Sequence, residues 1–291
     1  MKVATRIGEV RREVAAVRRR AGSVAAGDGH VIALVPTMGA LHEGHLSLMD
    51  RARELAGHVV VSIFVNPTQF GPGEDYEQYP RALERDVELA EARGVDLVYA
   101  PPSDEVYPDG SPAIRVVPGP LAERLCGASR PGHFEGVLTV VCKLFNMVQP
   151  DVAVFGRKDY QQATLIRQMV RALDFPVRVE LGPTVREEDG LALSSRNRYL
   201  STRERGRAAS LSQGLFAARA AFEEGVRDAD RLKARVRGTM RDADVEPEYI
   251  ELVDPDTLEP VDGAVEGSVL AVAARVGETR LIDNIILGQR D

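Results

Sequence analysis

Between residues 31 and 181, short apolar runs alternate with stretches of helical period, and that alternation leaves few folds open. Apolar runs at 31–35, 58–65, 96–100, 152–155 and 177–181 read as strands, the first ending at Pro36 and the second at Asn66-Pro67. Helical patterns fall between them at about 45–56, 82–93 (Leu83, Val87 and Ala90 on one face), 137–148 and 161–173. Runs apolar throughout belong to strands buried on both faces, so the pattern predicts a parallel sheet covered by helices on both sides. Residues 114–117 are expected to add a short strand. Before the first strand, Ile7, Val10, Val14 and Val17 recur at helical spacing and predict an amphipathic helix with a solvated basic face.

From about residue 187 the rhythm changes. Helical stretches near 202–224 and 229–242 precede strand-like runs near 249–253, 269–276 and 281–287. The fold class expected is therefore α/β with a smaller C-terminal α+β domain, divided as 1–186 and 187–291. The 291 residues suffice for two such cores.

Charge narrows the function. With 37 Lys+Arg against 44 Asp+Glu the net charge is −7, which argues against a general binder of nucleic acid or anionic membrane. Cys126 and Cys142 form no CxxC pair, so neither a disulfide scaffold nor a Cys-ligated zinc site is expected. The basic N-terminus carries Glu9 and Glu13 and has no continuous apolar core, unlike a secretory signal, and no run is long enough to span a bilayer. The expectation is a soluble cytoplasmic protein.

Ligands of open α/β sheets bind beyond the carboxyl ends of the strands, so the polar clusters that follow the strands matter most. After the first strand stand Met38-Gly39-Ala40-Leu41-His42-Glu43-Gly44-His45. Gly39 and Gly44 have the spacing of a phosphate loop, but the Lys and Ser/Thr of Walker A are replaced by His45 and Leu46. His42 and His45 are three apart rather than four, so this is not the HExxH zinc motif either. What remains is two imidazoles near a helix N-terminus, where backbone N–H groups favour an anion. An ordinary polar loop is the competing reading.

Asn66 and Gln69 follow the second strand, able to fix a hydroxyl or carboxylate; capping of the turn at Pro67 explains Asn66 equally well. After the 152–155 strand come Gly156-Arg157-Lys158-Asp159 and, three residues on, Gln162. Lys158 suits phosphate as a mobile point charge, while Asp159 suits ribose hydroxyls or the cap of the next helix. The fourth cluster runs from Arg186 to Asn197. Asp189-Gly190 marks a turn, and Ser194-Ser195-Arg196 supplies neutral and cationic donors of the kind that hold a transferring phosphate. Asp86, on the 82–93 helix, is the acid considered for a magnesium ion, whose need for one or two carboxylates leaves little trace in spacing.

Together these clusters resemble one family, the pantoate–β-alanine ligases or pantothenate synthetases. The matching stretches are PTMGALHEGH at 36–45, FVNPTQF at 64–70, YPR at 79–81, PGHFEGVLTVV at 131–141, GRKDYQQ at 156–162 and TVREEDGLALSSRNRYLS at 184–201. They cover the first two thirds of the chain; the last third is similar only in length and pattern. The resemblance implies a Rossmann-like nucleotidyltransferase domain of the HIGH superfamily, a small C-terminal lid domain and a homodimer. It also implies the reaction: ATP adenylates pantoate with loss of pyrophosphate, and β-alanine attacks the pantoyl adenylate to give pantothenate and AMP. Such a reaction needs no enzyme nucleophile, and no GxSxG elbow occurs.

By the same resemblance His42 and His45 contact the ATP phosphates, with His45 as proton donor, and Met38 to His45 form the nucleotide loop. Lys158, Ser194, Ser195 and Arg196 hold the phosphates as charge develops. Gly156, Arg157, Asp159, Val185 and Leu193 lie along the nucleotide. Gln69, Gln162, Asn66 and Met38 surround pantoate and β-alanine, and Asp86 falls to the environment of Mg2+. The helix N-terminus favours a neutral His45, triphosphate a cationic one. Two positions depart from the family: Arg157 stands where Glu is usual and Leu193 where Met is usual. The alternatives are another HIGH-type adenylyltransferase with a different acceptor, and a catalytically silent nucleotide-binding protein. An aminoacyl-tRNA synthetase fits less well, because the chain is short and acidic and shows no tRNA-binding extension.

Overall fold

A computed structural model describes residues 1–21 and 30–289; the last two residues of the expected C-terminal domain lie outside the described residues. The chain divides into two compact units, the first made of Met1–Ala122, Ser129–Gly156 and Leu165–Gly182. The second takes Pro183–Asp291 and also Glu123–Ala128 and Arg157–Thr164, two segments that lie on the other side of the 186/187 division expected from sequence.

Unit one is built on a six-stranded, all-parallel sheet in the order β1-β4-β3-β2-β5-β6. Its elements run β1 (Lys2–Ala4), α1 (Ile7–Ala21), β2 (Ile32–Thr37), α2 (Glu43–Leu55), β3 (His58–Ile63), α3 (Leu83–Ala92), β4 (Leu97–Tyr99) and α4 (Ser103–Val106). Then follow α5 (Cys126–Ser129), α6 (His133–Val148), β5 (Val152–Gly156), α7 (Tyr160–Ala172) and β6 (Arg178–Gly182), with α5 and α7 each passing from one unit to the other. Successive residues of β2 and β3 are buried, so both faces are covered, as the continuous apolar runs require. On one face Ala33, Val35, Val59, Val61 and Val98 pack with Leu46, Met49 and Ala52 of α2 and Ala90 of α3. Val10, Val14 and Val17 of α1 are buried at the spacing the sequence predicts.

The sheet order reverses between β2 and β5. From β2 the chain winds outward through β3 and β4, then returns to add β5 and β6 on the other side. In open α/β sheets ligands bind beyond the carboxyl ends of the strands at such a switch point. The loop after β2 is the one that carries His42 and His45.

Three local expectations are corrected, and one strand has no counterpart among them. Strand β2 does not stop at Pro36 but continues to Thr37. Phe64 N–H donates to Thr37 O, so the polar groups of Thr37 face β3, and the missing N–H of Pro36 falls on the side where pairing with β5 has ended at Leu34. Residues 114–117 form no strand; Ile114 and Val117 are 85% and 73% exposed, and the Val116 N–H is held by Thr139 Oγ1 instead. Leu83 is exposed on α3, whose buried face carries Asp86 and Ala90. Strand β1 is too short to show a period and goes unpredicted.

Unit two contains α8 (Thr202–Ala208), α9 (Ser210–Glu223), α10 (Ala229–Asp242), β7 (Pro247–Val253), β8 (Val269–Val276) and β9 (Thr279–Ile286). The single helix expected at 202–224 is thus two, broken at Ala209. The strands form an antiparallel sheet in the order β7-β8-β9. Leu211, Leu215, Leu232, Val236 and Met240 of α9 and α10 pack on Ile250, Leu252, Val272, Leu281 and Ile285.

His58, at the start of β3, titrates against the fold. Burial lowers its pKa below the ordinary value of about 6.5, although Asp96 pulls the other way, and its Nε2 has no hydrogen-bond partner among the described residues. The unfolded chain therefore binds a proton that the native one does not between pH 6.5 and the lower folded value. Stability should fall as pH drops through that window, by at most about 1.4 kcal/mol per pH unit, and level off beneath it. Denaturant unfolding of His58→Gln from pH 7.5 to 5 should show a smaller slope; an identical slope would assign the acid sensitivity elsewhere.

Candidate active site

The loop after β2 is shaped by backbone strain and held by one carboxylate. Gly39 and Ala40 both have positive φ, 81° and 51°. A Cβ on Gly39 would lie 2.8 Å from Asp86 Oδ2 and 3.0 Å from Ile63 Cγ2, so only glycine fits there. The N–H groups of Ala40 and Leu41 each donate to one oxygen of Asp86, at 2.8 Å, and Asp86 is 1% exposed. Thr37 Oγ1 donates to Ser62 O and accepts from Gly39 N–H, fixing the other end of the turn.

That arrangement revises the expectation for Asp86. A carboxylate shut off from solvent and taken up by two amides leaves no room for an ion that keeps much of its water shell. Its chemistry here is that of an anchor for the loop. Among the described residues no three His, Cys, Asp or Glu side chains come together as a metal site.

The two imidazoles cap α2. His42 is the N-cap residue, and its Nδ1 accepts from Gly44 N–H at 3.2 Å. His45 Nδ1 accepts from His42 N–H at 3.4 Å, completing a capping box in which both side chains are histidine. With both Nδ1 atoms accepting, each neutral ring carries its proton on Nε2. The rings lie 4.1 Å apart, centroid to centroid. Two N–H donors thus sit at the positive end of a 13-residue helix, a setting suited to phosphate oxygens. Leu41 is buried, Gly44 and Met38 are half-buried, and Glu43 is exposed and pairs with Arg93 at 2.9 Å.

Gln69 lies at the end of the 3-10 turn Pro67–Gln69. Its Oε1 accepts from Asn66 Nδ2 at 3.1 Å and its Nε2 donates to Met38 Sδ at 3.1 Å, which sets the amide orientation. Asn66 is itself 1% exposed. Its Oδ1 accepts from Thr68 N–H, Thr68 Oγ1 and Tyr107 Oη, and its Nδ2 also donates to Gly136 O. The substrate-contact expectation for Asn66 is therefore corrected to its alternative, a buried cap that shapes the turn.

Residues that the sequence reading did not single out hold Gln69 from behind. Arg130 is paired with Glu74 and donates to His133 Nε2, so His133 Nδ1–H donates to Gln69 O at 2.8 Å. A Cβ on Gly136 would lie 2.3 Å from Thr68 O and 2.7 Å from Gln69 N. Only a helix α6 bare at that position lets the turn approach. Gly136→Ala must push the turn away and should lower the thermal midpoint of the protein; an unchanged midpoint on thermal unfolding would defeat this. Gly136 falls within the family stretch 131–141, but nothing local marks its role, because the turn it admits is remote in sequence.

The remaining predicted site residues belong to unit two, except Gly156, which ends β5 in unit one. The 3-10 turn Arg157–Asp159 presents Lys158 half-buried, and Arg157 is turned toward Gln289 Oε1 at 3.5 Å. Gln162 is half-buried in the first turn of α7. Val185 O accepts from Leu193 N–H, and Arg186 and Ala192 form an antiparallel bridge, so residues 185–193 fold back as a small hairpin. Gly190, φ 93°, makes the turn that Asp189-Gly190 predicts. Ser194 caps the 3-10 turn Ser195–Tyr199 through Arg196 N–H. Asn197 braces it, donating to Glu187 Oε1 and Ala192 O, while Arg205 grips Glu187 and Asp189.

Comparison with known proteins gives the family. The pantoate-beta-alanine ligase family profile matches residues 2–286. The chain is 52% identical to pantothenate synthetase 1 of Bradyrhizobium diazoefficiens, over 99% of this chain and 98% of that one. It is 52% identical to pantothenate synthetase of Moorella thermoacetica over the full length of both. Its fold matches the crystal structure of pantothenate synthetase from Thermus thermophilus with a TM-score of 0.90 and 47% identity, covering 99% of each chain. It also matches pantoate-beta-alanine ligase of Francisella tularensis complexed with beta-gamma ATP and β-alanine, with a TM-score of 0.79 and 32% identity over 100% of this chain and 99% of that one. A Rossmann-like sheet with a small antiparallel domain, a double-histidine cap at the switch point and a match over nearly the whole length place this chain in the pantoate–β-alanine ligase family.

Proposed function

We propose that this chain joins pantoate to β-alanine through a pantoyl adenylate, and that its site residues divide the work as follows. The pantoate carboxylate attacks the α-phosphorus of ATP; a C(O)O–P bond forms, the bond to the β-phosphate oxygen breaks, and pyrophosphate leaves. The amine of β-alanine then attacks the acyl carbon, loses a proton and expels AMP. A carboxylate is a poor acyl donor, and the mixed anhydride supplies the leaving group. The protein's part is positioning and stabilisation of charge.

The observation that carries this reading is the pair of imidazoles, His42 and His45, that caps the N-terminus of α2. They suit the triphosphate, with His45 donating a proton or hydrogen bond as the leaving pyrophosphate gains charge. Gly39 to Gly44 line the nucleotide with backbone, and Glu43, exposed, contributes through its N–H. Lys158, Ser194, Ser195 and Arg196 serve the phosphates, and Gly156, Asp159, Val185 and Leu193 the rest of the nucleotide. Arg157, where the family usually has Glu, adds a cation to that stretch. Gln69, oriented by Asn66 and Met38, and Gln162 serve pantoate.

Family resemblance also supports Mg2+ as the companion of ATP, a homodimer and a cytoplasmic setting. Asp86 does not fit as a magnesium ligand, so the ion belongs with phosphate oxygens and water. Among the described residues no helix is long and apolar enough to cross a membrane.

The test is pyrophosphate release from Mg-ATP and pantoate at enzyme-limited turnover, followed by AMP release on adding β-alanine. A pantoate-dependent burst, with AMP appearing only after β-alanine, supports both half-reactions. Folded protein that binds ATP without the burst would point to a sister transferase or a silent binder.

A further inference from the structure

Two neighbouring residues of β9, Asp283 and Asn284, are buried and polar, and the reaction above uses neither. Successive strand residues point to opposite faces. Asp283 shares its face with Leu281 and Ile285, toward the helical core of unit two. There it forms a two-point ion pair with Arg186, at 2.7 and 3.1 Å, and Arg186 also donates to Gly190 O and Asn284 O. Asp283 therefore holds the 185–193 hairpin that leads into Ser194-Ser195-Arg196.

Asn284 points the other way. Its Nδ2 donates to Lys158 O at 2.7 Å and to Arg157 O at 3.2 Å. Two carbonyls facing one group require the NH2 end of the amide there. The opposite end, Oδ1, is buried with no partner among the described residues, although Asn284 is only 4% exposed. A buried acceptor left unpaired is a cost that packing alone does not explain.

We propose that Asn284, backed by the Asp283–Arg186 pair, is a positioning residue that sets Lys158 against Ser194-Ser195-Arg196 for phosphate transfer. Adjacent residues of one strand grip the two segments, so their spacing is fixed by a single peptide unit. The inference rests on the reading of Lys158 given above. It assigns Asn284 no contact with substrate; its effect passes through the backbone of the Arg157–Asp159 turn.

A double-mutant cycle tests it in the full-length protein. Asn284→Ala should slow pantoate-dependent pyrophosphate release by about tenfold or more, as small misplacements of a reacting group do. In a Lys158→Ala background the same change should add almost nothing, because the group it positions is gone. Should Asn284→Ala fail to fold, Asn284→Thr keeps the strand and most of the volume while donating one hydrogen bond at most. An undiminished loss in the Lys158→Ala background would mark a general structural role and overturn the proposal. So would a wild-type rate for Asn284→Ala. A wild-type rate for Lys158→Ala alone would instead remove the assignment of Lys158, and the proposal with it.

Discussion

Lys158→Ala is expected to slow single-turnover pyrophosphate release by about 10²–10³-fold, the scale seen when a donor aimed at developing transition-state charge is lost. Lys158 is half-buried on a short turn whose carbonyls are held by Asn284 through the backbone, so truncating the side chain leaves those bonds intact. The thermal midpoint should accordingly stay close to wild type. The loss should appear in the rate of the bound complex more than in ATP affinity, because charge on the bridging oxygen grows only as pyrophosphate departs. β-Alanine capture of preformed adenylate should suffer less. Unchanged single-turnover release would defeat the role.

The second large effect is expected at Asp86→Asn. The asparagine keeps one acceptor for the loop but turns an NH2 toward the other amide, so one of two charge-assisted bonds becomes a donor–donor clash. Leaving a buried donor unpaired costs roughly 1–3 kcal/mol, and the loss falls on a turn already strained at Ala40. The loop that carries His42 and His45 should loosen, lowering kcat/KM for ATP by about tenfold to a hundredfold. Magnesium titration separates this account from metal ligation. If Asp86 anchors the loop, raised Mg2+ leaves the defect in place; recovery of activity at high Mg2+ would return Asp86 to the metal.

The sheet was legible because its signal is local. Continuous apolar runs such as 31–35 and 58–65 occur where strands are buried on both faces, and helical period marks the covers. Family motifs singled out Lys158 and Ser194-Ser195-Arg196, which as isolated letters read as ordinary loops. Residues 114–117 misled because a short apolar run is compatible with a strand only where a sheet edge receives it. Asn66 was ambiguous because the same amide serves a cap or a ligand, and only its neighbours decide.

What the sequence by itself determined is the order of strands and helices, the polar clusters that follow the strands, and the family to which they belong. These are properties of nearest neighbours and of motif spacing. Tertiary structure alone decided which of those polar residues are buried and hold others in place. Asp86 reaches a loop 46 and 45 positions earlier, Gly136 admits a turn near residue 68, and Asn284 holds carbonyls 127 and 126 positions away. A carboxylate or amide becomes an anchor when burial removes its water and folding brings it specific partners, and neither condition is written within a helical turn or a strand of the residue itself.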